Sequence, residues 1–311
     1  MNKDKLLLPY LLNASDLNIN DIELIFSQAD YFMQNYKTGE KFNNLKGIVV
    51  AMAFLESSAR TKLSFELAAK RLSADTLSFQ SSQGSQNKYE SLIDTLHSIE
   101  AAGADIFVVR HGNSGVPHFF QENTKAVILN AGDGNHEHPS QALLDLYTLQ
   151  KHFGKVEGLK VCIIGDIIHS RVAHSDISIL KTLGAEVKLC SPGTLLPRHI
   201  NVWDCDIIEN IDDAVDWADA LIVLRLKREI IESGILPDIR EYSKYFGISY
   251  ERFSRKPGLV LMHPGPVNYG IELDYRVSGF PNCLIQTQAA HGVFIRMAIL
   301  SLLGKHLKKN G

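Results

Sequence analysis

No run of apolar residues in this sequence approaches the ~18 that a membrane span needs. The leucines Leu6, Leu7 and Leu8 are stopped by Pro9, which is too few for the apolar core of a secretory signal. Cysteine is scarce. The four present, Cys162, Cys190, Cys205 and Cys283, lie far apart and form no CxxC pair. Cys162 and Cys190 sit in or beside strand-like runs, so buried reduced thiols are expected. Together these absences point to a cytoplasmic protein without a membrane partner. There is no excess of positive charge either. The formal net charge of −3 argues against a nucleic-acid surface, while leaving room for a locally basic pocket. Gly165-Asp166 follows a strand-like run, but no G-x-G-x-x-G completes it. No G-x-x-x-x-G-K-[ST] phosphate loop and no G-x-S-x-G elbow occur, and no internal repeat or low-complexity tract is found.

What is present is an alternation. With 311 residues the chain has the length of about two domains. Strand-like apolar runs occupy 47–54, 105–110, 126–130, 161–165, 186–189, 220–224 and 259–262, with helical patterns between them. That is the signature of an α/β fold with mainly parallel sheets. A helix entered at Pro139, with Leu143, Leu144, Tyr147 and Leu149 on its apolar positions, is a natural connector between two such domains. A last helix is expected over about 292–307, ending in the cations Lys305, His306, Lys308 and Lys309, with its apolar face on one of the domains. Residues 78–91 are almost devoid of apolar side chains. A polar loop of that length is functional or disordered, and its Lys88 is a candidate ligand-reaching cation.

The most informative stretch is Ser57-Ser58-Ala59-Arg60-Thr61. It follows the run 47–54 and opens a helix over 61–72 with Phe65, Ala68, Ala69 and Leu72 on one face. Unmatched backbone N–H groups and the helix dipole make such a junction an anion site, to which Arg60 adds charge and Ser58 and Thr61 add hydroxyls. A plain N-cap with an exposed arginine is the alternative. Other strand ends carry polar groups too: Arg110, then Asp133 and Gly134, Asp166 with Arg171, Arg225, and His263. Ligands of open α/β sheets bind outside the carboxyl ends of strands. Each arginine alone reads as a surface ion pair, but jointly they imply a ligand with several negative charges. In the turn-rich loop 132–141, His138 and Gln141 stand at a helix start and can hydrogen-bond a small polar substrate. His136 and His138 are also conceivable as metal ligands. However, Glu137 is the only acid beside them and no cluster completes a ligand set.

These pieces, in their order and spacing, resemble aspartate carbamoyltransferase catalytic chains, whose fold is shared with ornithine carbamoyltransferases. The resemblance runs through Ser58–Thr61 with Leu63-Ser-Phe-Glu66, Val109-Arg110-His111, Asn130-Ala-Gly-Asp-Gly134 and His138-Pro-x-Gln141. It continues through Gly165-Asp166 with Arg171, Leu224-Arg225, His263-Pro-Gly-Pro-Val-Asn268 and the region 292–303. It implies two Rossmann-like domains with mainly parallel sheets, joined by helices. Residues 1–139, completed by the C-terminal helix 287–311, would bind carbamoyl phosphate, and 140–286 would bind aspartate. Ser58, the backbone of Ala59, Arg60, Thr61 and Arg110 would hold the phosphate. Thr61, Arg110 and His138 would point donors at the carbamoyl oxygen, and Gln141 would hold the carbamoyl amide. Arg171 and Arg225 would grip the two carboxylates of L-aspartate, with the carbonyls of Pro264 and Gly265 orienting its amine. Ser85 and Lys88 would come from a neighbouring subunit of a homotrimer, Ser85 to carbamoyl phosphate and Lys88 to both the chemistry and aspartate. The product would be N-carbamoyl-L-aspartate, in de novo pyrimidine biosynthesis. No metal or organic cofactor is implied. The proton acceptor, His138 or the phosphate itself, is left open, as is association with a regulatory chain or dihydroorotase.

Three positions depart from the family pattern. Ala59 stands where threonine is common, Tyr89 follows Lys88 where glycine is frequent, and Lys227 stands where glutamine helps to hold aspartate. They keep two other readings open: a carbamoyltransferase with a different amine substrate, and a weakly active trimeric paralogue with a scaffold or regulatory role. Against an ornithine substrate, the chain presents Arg225, Lys227 and Arg228 where a diamine needs an acid, and it lacks a His-Cys-Leu-Pro loop.

Overall fold

The computed structural model describes residues 5–80, 91–227, 234–236 and 238–307. Two compact units emerge: Met1–Leu144 with Ala290–Gly311, and Asp145–Ala289.

In the first unit, β1 (Val49–Phe54), β2 (Asp75–Gln80), β3 (Ile106–His111) and β4 (Val127–Asp133) form a parallel sheet in the order β2-β1-β3-β4. The helices α1 (Ile19–Asn35), α2 (Ala59–Arg71), α3 (Leu92–Ala101) and α4 (Val116–Asn123) accompany it. β1 and β3 are buried almost throughout, as expected of strands covered on both faces, which is why they read as apolar runs rather than alternations. Phe107 and Phe120 are fully buried in one layer of this core. Burying a side chain of that size contributes about 1.5–3 kcal/mol. Local chemistry sets the helix starts. Asn18 accepts from Asp21 N and Asp21 answers at Asn18 N, and Ser91 and Asp94 do the same for α3.

The second unit holds a parallel sheet in the order β7-β6-β5-β8-β9, from β5 (Lys160–Ile164), β6 (Glu186–Cys190), β7 (Asp206–Ile207), β8 (Ala220–Val223) and β9 (Val260–Met262). Its helices include α6 (Arg171–Thr182), α7 (Ile211–Trp217), α8 (Ile239–Phe246) and α9 (Tyr250–Ser254). Helix α5 (Pro139–Phe153) starts in the first unit and ends in the second, and α10 (Ile285–Gly304) runs the other way.

Every expected strand run coincides with a strand to within a few residues. β2 and β7 were not expected. Both are edge strands, and β2 reads Asp-Thr-Leu-Ser-Phe-Gln, so neither carries a continuous apolar run. The last helix begins at Ile285, earlier than its apolar pattern suggests, and ends at Gly304, so Lys305 and His306 lie in the turn beyond it. Its C-terminal part packs on the first unit: Arg296 Nη1 donates to Ser64 Oγ at 2.8 Å, and Asn44 donates to Ser301 Oγ at 2.8 Å. The cysteines are free thiols. Burial pushes the Cys190 thiol up to about 12 and Cys162 well above its usual value, so both are poor nucleophiles. Among the described residues no helix is long and apolar enough to cross a membrane.

Candidate active site

The first unit gathers its polar residues at the carboxyl ends of three adjacent strands. Phe54 at the end of β1 pairs with Arg110 near the end of β3, and His111 pairs with Asp133 at the end of β4. After β1 the chain turns, with Leu55 N and Glu56 N donating to Arg110 O at 2.9 and 3.3 Å, and enters α2. Ser58 holds the N-cap position, yet its side chain does not cap the helix. Its Oγ instead donates to Thr61 Oγ1 at 3.0 Å. The Ser58 side chain thus does not cap the start of α2. This favours the anion-site reading of the junction over a simple cap. Ala59 and Arg60 are exposed there, while Ser58 and Thr61 are half-buried.

Arg110 is held beside them. Its Nη1 donates to Ala131 O at 3.1 Å and its Nη2 to Glu56 Oε1 at 3.2 Å. The loop after β4 closes on itself: Gly134 N donates to His111 O, and Asp133 N to Glu137 O. Gly134 has φ +49°, and a Cβ there would lie 2.3 Å from Ser114 Oγ, so the close approach requires glycine. The loop delivers His138 immediately before Pro139, the first residue of α5, and Gln141 one turn on, both buried. Glu137 is turned away from any ligand set, accepting from Ala14 N at 3.2 Å. Burial lowers the pKa of nearby His111, whose Nδ1 accepts from Asn113 N.

In the second unit β5, β8 and β9 are likewise neighbours, and their carboxyl ends carry the predicted residues. Asp166, buried after β5, accepts from His169 N at 3.2 Å and faces His169 Nδ1 at 2.8 Å. This turn leads into Ser170, whose Oγ caps α6 through Ala173 N, with Arg171 as the first helical residue. Arg225 follows β8 and is exposed. Lys227 Nζ donates to the carbonyl of His169 at 2.8 Å, across from β8 to the turn before Arg171. After β9 comes a buried polar chain. Gln288 donates to Asp145 and accepts from His263 N, and Gly265 N donates to His263 Nδ1. His263 Nε2 faces Glu272 Oε1 at 3.3 Å, and that oxygen also accepts from Asn268 N. Asn268 Nδ2 in turn reaches Leu226 O at 2.9 Å. Pro264 and Gly265 therefore sit on a loop fastened at both ends.

Ser85, Lys88, Tyr89 and Arg228 lie outside the described residues. Sequence reasoning missed Glu56, Asp145, Glu272 and Gln288, which touch the predicted residues from behind. Only Glu56 carried a local signal, its position directly before Ser57.

Two family models match in tandem. The aspartate/ornithine carbamoyltransferase, carbamoyl-P binding domain spans residues 10–151, and the Asp/Orn binding domain of the same family spans 157–303. The chain belongs to the aspartate/ornithine carbamoyltransferase family. Within it, the chain is 44% identical over 303 residues to the aspartate carbamoyltransferase catalytic subunit of Maricaulis maris, covering 96% of this chain and 95% of that one. Identity to the Carboxydothermus hydrogenoformans catalytic subunit is 46%, covering 94% and 95% of the two chains. Among solved structures, the catalytic subunit of M. jannaschii aspartate transcarbamoylase superposes with a TM-score of 0.84 at 33% identity, covering 96% and 99%. The Trypanosoma cruzi aspartate transcarbamoylase in complex with N-(phosphonacetyl)-L-aspartic acid gives 0.83 at 29%, covering 94% of each.

Proposed function

We propose that the chain transfers the carbamoyl group of carbamoyl phosphate to the α-amine of L-aspartate, releasing phosphate and N-carbamoyl-L-aspartate. The family accommodates two amine substrates, and one observation favours aspartate: Arg171 opens the helix that follows β5, and Arg225 follows the neighbouring strand β8. Cations there attract a dicarboxylate and repel the side-chain ammonium of ornithine.

The chemistry then distributes over the two units. The start of α2, with Ser58, Ala59, Arg60 and Thr61, takes the phosphate together with Arg110. Thr61, Arg110 and His138 place donors at the carbamoyl oxygen, and Gln141 holds the carbamoyl amide. The aspartate nitrogen attacks the carbamoyl carbon, and negative charge grows on that oxygen as a tetrahedral intermediate forms. The bond from carbon to the phosphate oxygen breaks, the proton lost by the attacking amine ends on the phosphate, directly or by way of His138, and the cationic cradle receives the resulting hydrogen phosphate dianion. Fixed donors at a developing oxyanion are each worth about 10²–10³ in rate. Arg171, Arg225 and the carbonyls of Pro264 and Gly265 orient the nucleophile, which lowers the entropic part of the barrier. A homotrimer in which Ser85 and Lys88 serve a neighbouring copy is part of the same proposal.

The test is carbamoyl transfer by the purified protein, with L-aspartate and L-ornithine compared at equal concentrations. Carbamoyl aspartate from aspartate alone is expected. Transfer to ornithine, or to neither amine by a folded protein, overturns the proposal. Activity recovered on mixing two inactive variants, Lys88→Ala and Arg110→Ala, is the expected sign of a shared site.

A further inference from the structure

The loop between β4 and α5 assembles three ligand-type side chains that carbamoyl transfer does not use. One atom each from His118 of α4, Asp133 of β4 and His136 of the loop lie within 4.8 Å of one another. Asp133 is fully buried and rigidly held. Its Oδ1 accepts from Asn130 Nδ2 at 2.8 Å and Glu137 N at 3.2 Å. Its Oδ2 accepts from Gly115 N at 2.7 Å and faces His136 Nδ1 at 3.2 Å. The two imidazole rings stand 5.7 Å apart. His118 Nε2 lies 3.2 Å from Asn13 Nδ2, which is itself fixed on Asp16, while its Nδ1 is buried and has no hydrogen-bond partner.

We propose that His118, Asp133 and His136 form a binding site for a divalent transition metal of the zinc class. Two imidazoles and one carboxylate suit Zn²⁺, Co²⁺ or Ni²⁺, whereas Mg²⁺ and Ca²⁺ seek oxygen ligands. Bonds of about 2.0–2.1 Å in a tetrahedral site set ligand atoms about 3.3 Å apart. The 3.2 Å between His136 Nδ1 and Asp133 Oδ2 already matches that edge. The His136 side chain is 43% exposed, so it is free to rotate and draw the set together, and it leaves a fourth position open to water. Asn130, Gly115 and the Glu137 N–H orient the carboxylate, the supporting contacts a metal site needs. The ion would staple the loop to α4 two positions before His138. Binding is therefore expected to stiffen the entry to α5, independently of which amine the enzyme carbamoylates.

The experiment uses tag-free full-length protein, stripped with chelator and titrated with Zn²⁺ against a chromophoric competitor. A parallel titration with Co²⁺ is read by its visible absorption. The expected result is one Zn²⁺ per chain with a micromolar or tighter Kd and a Co²⁺ band of low-coordinate type. Affinity should fall by about 10-fold or more in His136→Ala and in His118→Ala. The variant His97→Ala, at an exposed position of α3, should bind as the parent does. Because His136 is largely on the surface, its variant tests ligation without threatening the fold. Wild-type affinity in His136→Ala, equal losses in His97→Ala, or half-saturation only in the millimolar range would overturn the proposal, leaving His136 and Asp133 as an ordinary loop-closing hydrogen bond.

Discussion

Replacing Glu272 by alanine tests how the loop proposed to orient the amine is held. Glu272 and His263 have fully buried side chains. Gly265 N donates to His263 Nδ1 at 2.7 Å, so Nδ1 is the acceptor and the ring proton resides on Nε2. That N–H faces Glu272 Oε1, which also receives Asn268 N at 2.5 Å. Glu272→Ala strips both buried donors of their carboxylate. Hydrogen bonds to charged groups contribute about 1.5–3 kcal/mol each, so a loss of about 3–5 kcal/mol is expected in urea unfolding. Glu272→Gln keeps a carbonyl oxygen for the same donors and should lose only about 1–2 kcal/mol. The loop carries Pro264 and Gly265, so loosening it should act on one substrate. If about 1.4 kcal/mol of preorganisation is lost, KM for aspartate rises about 10-fold while KM for carbamoyl phosphate stays near wild type. Steady-state kinetics with each substrate varied in turn reads this split. The reasoning fails if Glu272→Ala unfolds at the wild-type urea midpoint, if the glutamine variant is as damaged as the alanine one, or if both KM values move together.

Gly134→Ala meets two obstacles, φ +49° and a Cβ 2.3 Å from Ser114 Oγ and 2.6 Å from Ser114 N. We predict a loss of about 2–4 kcal/mol and a matching drop in thermal midpoint, measurable by calorimetry. Lys227→Met deletes the 2.8 Å bond to the His169 carbonyl while keeping most of the side-chain volume. The expected outcome is a stability change of about 1 kcal/mol and a raised KM for aspartate, because the turn leads into Arg171. Unchanged kinetics would show that this bond does not position the arginine. Burial lowers the pKa of His111 below its usual 6.5, so the unfolded chain takes up the proton first on acidification. The stability tied to neutral His111 is complete above pH 6.5 and is lost as pH falls towards the folded-state pKa. His111→Asn, which keeps an acceptor for Asn113 N, should show a shallower loss in denaturant melts between about pH 7 and 5.

The strand ends were legible because a parallel strand covered on both faces must be a continuous apolar run, and Gly-Ile-Val-Val-Ala-Met-Ala-Phe54 is one. Where such a run stops, the next residues are at the carboxyl edge, so Arg110, Arg225 and His263 were placed without knowledge of strand order. Edge strands escape this logic: β2 exposes Leu77 and alternates with polar residues, and a two-residue β7 has no pattern at all. Residues that work from behind were illegible for a different reason. Glu272 belongs to a loop by every local measure, and only the return of the chain beneath β9 turns it into the acceptor for His263 and Asn268. His118 reads as one more polar residue on a short helix until α4 lies along β4.

Lys227 joins both lessons. Its departure from the family pattern is visible in the sequence, where a lysine replaces the glutamine that helps to hold aspartate. The structure gives that charge a backbone target instead, the carbonyl of His169 at 2.8 Å. An ammonium engaged in this way has part of its charge neutralised by the peptide dipole. A lysine can therefore occupy this position without opposing aspartate. It fastens the turn ahead of Arg171 to the segment after β8 that carries Arg225, the two arginines proposed to grip one dicarboxylate.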